Sequence, residues 1–216
     1  MKILEQRRWN RAFTLIDLFV VAAVFAVVMI LIAPAFRRPR VKGGPSCQIN
    51  LKQIGLAFRT WEGDYNDLYP MSYFTNESGF MKYANAANAF RYFQVMSNEL
   101  NNPKLLLCPE DRKRNMANNF DASFSGANIS YFIGLDGDEK YPTRLLSGDR
   151  NLTNGMKLND GILAVMTNQA VGWTPEQHKG IGNILFSDGS VQQLSAQGLK
   201  DVLAQTGLAT NRLAMP

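Results

Sequence analysis

The 216-residue chain contains a single histidine, His178, and only two cysteines, Cys47 and Cys108. Zinc centres, Ser-His-Asp triads and Cys-His nucleophile pairs all need histidine with defined partners, so this scarcity argues against an enzyme. Two cysteines are too few for a disulfide framework, and their spacing is not that of a metal motif. One bridge is still open to them, and closing a loop of about 60 residues stabilises by about 4 kcal/mol in the chain-entropy account. The other reading is that Cys47 is simply a small buried hydrophobe on a helix face. Internal repeats and low-complexity tracts are missing as well. So is a strong excess of one charge. The formal net charge is +5, but Lys2, Arg7, Arg8 and Arg11, less Glu5, carry +3 of it, which leaves +2 beyond residue 12. With no interleaved aromatic and basic stripe, nucleic acid is not expected as a partner.

What the sequence does have is one long apolar run. From Phe13 to Ala33 the only polar side chains are Thr14 and Asp17. A helix of that length rises roughly 31 Å and would cross a bilayer. The expectation is therefore a leader at residues 1–12 followed by a transmembrane helix over 13–36. A secretory signal cut near Ala33-Pro34-Ala35 is the competing reading. Four basic residues flank the run on each side, so charge bias does not orient it. A carboxylate in such a run needs a partner. If the chain is cut between Ala12 and Phe13, the new α-amine of Phe13 can sit beside Asp17 of a neighbouring parallel helix. Such a pair enforces axial register, because removing one member leaves an uncompensated charge.

Pro34, Pro39, Gly43, Gly44 and Pro45 then interrupt the pattern, predicting a kink at Pro34 and a non-helical joint over residues 37–45. Ser46 reads as the N-cap of a second, amphipathic helix. Its apolar stripe is Cys47, Leu51, Ile54, Phe58, Trp61 and Tyr65. The remainder, within a head spanning 46–216, reads as α+β with a small antiparallel sheet. A helix is expected over "NAANAFRYFQVMSNEL", closed by Asn101-Asn102-Pro103. Strands are expected at Lys104 to Cys108, Asn128 to Leu135 and Gly161 to Thr167. "NILFSDGSVQQL" predicts a hairpin with a primed turn at Asp188-Gly189. Ser195 then caps a short helix that Gly207 stops. Asp136 and Asp138 in "GLDGDEKYP" are candidate calcium ligands, though the loop departs from an EF-hand and a solvated turn is the better reading. No other cofactor or metal is expected.

"AFTLIDLFVVAAVF" resembles the class III signal of type IV pilins and of the pseudopilins of type II secretion. Resemblance to that family implies cleavage after Ala12 by prepilin peptidase, methylation of Phe13, and Asp17 in the place of the glutamate that guides assembly. A second resemblance lies near the C-terminus. Nine residues separate His178 from Asp188-Gly189 in "HKGIGNILFSDGS", which is similar to the H-X9-DG element of a large set of bacterial prepilin-like proteins. "CQINLKQIGLAFRTWEGDYNDLYPM", "ANISYFIGLD" and "NRLAMP" look like the same group. The resemblance implies a single-pass inner-membrane subunit with an extracytoplasmic pilin-like head. Its partners would be prepilin peptidase, other pilin-like subunits and the secretion or pilus assembly machinery. The rival reading is a membrane-anchored extracytoplasmic binding protein that does not polymerise. The His178, Asp188 and Gly189 element itself has a structural reading, with the Asp-Gly pair forming a turn and His178 bonding across the preceding loop.

Overall fold

The computed structural model describes residues 15–32, 44–76 and 89–216. Ala12, Phe13, Pro34 and the expected joint up to residue 43 lie outside them. The chain divides into two compact units, with helix α1 in the first and every later element in the second.

Helix α1 spans Leu15–Ile32, with Asp17 in its first turn, where the helix dipole favours an acid. Among the described residues no helix is long and apolar enough to cross a membrane. The 18 residues of α1 rise about 27 Å, short of the about 30 Å of a hydrocarbon core. This corrects the expected transmembrane helix over 13–36, and with it the single-pass inner-membrane location drawn from its length.

Helix α2 spans Gly44–Asp64. It starts two residues before the expected cap at Ser46, because proline in a first helical turn forgoes no hydrogen bond and Pro45 is accommodated there. Its stripe of Cys47, Leu51, Ile54, Phe58 and Trp61 is buried, and Tyr65 stacks on Trp61 at 3.8 Å between ring centroids. Asn66 and Asp67, both left-handed, turn the chain out of it. Short helices follow: α3 at Pro70–Asn76, α4 at Ala89–Val95 and α5 at Ser97–Leu100. The expected continuous helix up to Leu100 breaks at Met96, and left-handed Asn101 ends α5. Lys104 to Cys108 is not a strand. Pro103 starts a single 3-10 turn there, and the Asn102 side chain accepts from the Lys104 amide at 3.0 Å.

The strands are β1 (Tyr131–Gly134), β2 (Leu145–Asp149), β3 (Leu152–Thr153), β4 (Ile162–Met166), β5 (Gly172–Trp173), β6 (Gly182–Phe186), β7 (Val191–Leu194) and β8 (Thr210–Ala214). Six of them form one antiparallel sheet in the order β4-β8-β1-β2-β6-β7, and β3 pairs with β5 in a separate ribbon. Helix α6 (Ala196–Gln205) is capped as expected, with the Ser195 hydroxyl accepting from the Gly198 amide. Side chains alternate across a strand, and here both faces are covered. Tyr131, Ile133, Leu146 and Leu185 join the core built on α2, α4 and α5. Phe132, Leu145, Ile184 and Phe186 join a second core under α6 and Trp173. The second unit is thus a three-layer α+β structure.

Candidate functional site

Cys47 and Cys108 form a disulfide with their Cα atoms 5.4 Å apart. It ties the first turn of α2 to the segment after the Pro103–Leu106 turn. His178 Nε2 lies 3.3 Å from the Cys108 sulfur and 3.4 Å from Asp149 Oδ2. All four side chains are buried.

Each is placed by a different element. Asp149 ends β2, and the pairing of β2 with β6 sets it beside Asn183, whose backbone amide and side-chain Nδ2 donate to Asp149 Oδ2 at 2.7 and 2.8 Å. Gln48 of α2 donates in turn to Asn183 Oδ1. Asp149 Oδ1 is buried and has no hydrogen-bond partner among the described residues. Burial pushes the Asp149 carboxyl up to about 6, against the pull of His178 and of the Asn183 donors. His178 stands on the loop between β5 and β6 in the left-handed region, followed by Lys179 and Gly180 in the same region (φ +50, +55 and +86). Two consecutive non-glycine residues there are uncommon. Asn151 holds the loop in that shape, its Nδ2 donating to the carbonyls of Thr174, Gln177 and Ile181. Beside it, Arg150 donates twice to Asp111, at 2.6 and 2.7 Å. Burial raises the Asp111 carboxyl, and the Arg150 guanidinium outweighs it to hold that carboxyl below the usual range.

The other end of the His178 to Gly189 element lies past β6. Only Gly189 of the Asp188-Gly189 pair is left-handed, so the turn is not the primed two-residue type. The Gly189 amide donates to the Phe186 carbonyl and the Phe186 amide to the Ser190 carbonyl, the pattern of a three-residue loop closed by a left-handed glycine. Asp188 Oδ1 accepts from the Ser190 amide, and Arg59 of α2 donates to the Asp188 carbonyl. The nine-residue spacing thus measures β6, with His178 at one end beside Cys47 and the Asp-Gly turn at the other beside Arg59.

The chain matches no protein-family model, no curated protein and no solved structure. Its chemistry is read from its own residues. The calcium candidates do not converge: Asp136 accepts from the backbone amide and guanidinium of Arg212, while Asp138 Oδ1 accepts from the Lys140 amide. The set that does converge, among the described residues, is Cys47, Cys108 and His178, whose ligand atoms lie within 4.8 Å of one another. Asp17 belongs to the other unit. Sequence reasoning missed Asp149, Asn183 and Asn151, since nothing local in "LLSGDRN" or "GNILF" signals a long-range polar contact.

Proposed function

We propose that the chain is a prepilin-like structural subunit, cut between Ala12 and Phe13 by prepilin peptidase. Its α1 helices pack in parallel with those of other copies in a type II secretion or type IV pilus-like filament. The observation that carries this reading is α1 itself. Leu15, Phe19 and Phe25 are each about two-thirds exposed (71, 67 and 67%), and apolar side chains project on all sides of the helix. A helix apolar all round is one that packs against something. The second unit, by contrast, closes two apolar cores of its own.

Covering each large side chain of α1 releases about 1.5–3 kcal/mol. A contact repeated by a rotation that does not close yields a helical fibre. Asp17, paired with the Phe13 amine of a neighbour, supplies the register that apolar packing lacks. The test is mass spectrometry of the mature N-terminus together with electron microscopy of Asp17→Ala. Methylated Phe13 and loss of filaments are expected. A mature chain that still begins at Met1, or fibres unchanged by the substitution, would overturn the reading.

A further inference from the structure

We propose that Cys47, Cys108, His178 and Asp149 form a binding site for a thiophilic divalent cation, zinc(II) above all, which is occupied when the disulfide is reduced. Two sulfurs and one imidazole nitrogen converge within 4.8 Å of one another, the Asp149 carboxylate lies 3.4 Å from that nitrogen, and all four side chains are buried. Sulfur and nitrogen donors with at most one carboxylate suit zinc(II) and exclude calcium and magnesium, which take oxygen ligands.

The spacing fits. Bonds of about 2.0–2.3 Å to one tetrahedral metal set neighbouring donors about 3.3–3.8 Å apart. His178 Nε2 stands 3.3 Å from the Cys108 sulfur and 3.4 Å from Asp149 Oδ2. Two edges of the tetrahedron therefore exist with the disulfide intact. Two sulfurs on one zinc lie about 3.8 Å apart, and the Cα separation of 5.4 Å lets side-chain rotation supply that once the bond is gone.

The surroundings are built for it too. Metal ligands are oriented by groups behind them, and Asn183 holds Asp149 Oδ2 with two donors. Asp149 Oδ1, buried without a hydrogen-bond partner among the described residues, leaves that carboxylate with acceptor capacity to spare. Asn151 fixes the left-handed loop that turns His178 toward the sulfurs.

The chemistry balances. A dithiol reductant transfers two electrons and two protons to the Cys47–Cys108 bond, giving two thiols and the reductant's own disulfide. Binding zinc(II) then displaces both thiol protons to solvent. Two thiolates and a neutral imidazole bring the buried metal to zero charge, and Asp149 adds one negative charge that the Asn183 donors spread. Bridge and metal exclude each other, yet either one ties α2 to the segment at Cys108.

The test uses the full chain in both redox states. After reduction with dithiothreitol and anaerobic removal of the reductant, cobalt(II) is added, then zinc(II). The expected result is one cobalt(II) per chain with a near-ultraviolet sulfur-to-cobalt band and the visible bands of tetrahedral coordination, both abolished by one equivalent of zinc(II). The oxidised chain should take up none. Asp149→Asn should weaken cobalt(II) binding by about 10–100-fold, and His178→Ala should remove the tetrahedral signature. Circular dichroism of each reduced, metal-free sample identifies those that remain folded. A reduced, folded wild-type chain that binds no cobalt(II), or one that binds it equally well with the disulfide intact, would overturn the proposal.

Discussion

Arg59 on α2 donates to the backbone carbonyl of Asp188 at 2.9 Å, so the turn that ends β6 is held by the helix lying across it. Arg59 also lies 3.9 Å from Glu139, a half-exposed contact that adds little. Arg59→Ala is expected to cost about 1 kcal/mol and to speed amide exchange at Gly189 and Ser190. Unchanged exchange there would show that the turn holds itself.

Reduction of the Cys47–Cys108 bond without metal should destabilise the second unit by about 4 kcal/mol in the chain-entropy account, given the sequence separation of 61 between the partners. Urea unfolding with and without a dithiol measures it. A shift below about 1 kcal/mol would mean that packing of Cys47 and Cys108 already supplies the constraint.

Glu62 gives a pH signature. Burial, then the neighbouring Glu139 carboxylate, push its carboxyl up to about 7. Its folded value lies above its unfolded one, so the folded chain holds the extra proton between about 4.5 and 7. The stability from Glu62 is then complete below that window and lost as pH rises through it. Glu62→Gln should flatten the pH dependence of the melting temperature in this range and leave the fold intact.

Asp111 runs the other way. With its carboxyl held below the usual range by Arg150, it stabilises above the ordinary carboxylate pKa and ceases to as pH falls through its folded value. Asp111→Asn leaves the mostly buried Arg150 guanidinium without its closest carboxylate and is expected to cost about 3 kcal/mol at neutral pH. Chemical denaturation at pH 7 and pH 3 should show the full cost at the first and a smaller one at the second.

A chain starting at Val41 should fold with the melting temperature of the intact protein, since the second unit closes its own cores. It should sediment as a monomer where the full chain self-associates through α1. Equal association of the two would place the contact on the second unit and count against the filament reading.

The sequence pattern located the elements whose periodicity is clean. The Cys47 to Trp61 stripe predicted α2, the Ser195 cap predicted α6, and the alternation around Asp188-Gly189 predicted the β6–β7 hairpin. It missed β2 and β8. Leu145–Asp149 is buried on both faces, so "LLSGD" shows no alternation and looks like a loop. In "TNRLA" the buried Asn211 breaks the pattern that the strand nevertheless satisfies. The site was half legible. His178 and the cysteines drew notice as rare residues, whereas Asp149 meets His178 only because β2 pairs with β6, and pairing across such separations leaves no local mark. Apolar character alone also overstated the N-terminal helix, whose described span is shorter than the run that suggested it.

The disulfide has a mechanical corollary for a chain pulled from its N-terminus. Tension entering at Cys47 passes through sulfur to Cys108 and bypasses the loop between them, so α2 beyond Cys47, α3, α4 and α5 carry none of it while the bond lasts. Stretched in a force spectrometer, the oxidised protein would lengthen less than the reduced one by the contour of that shielded loop.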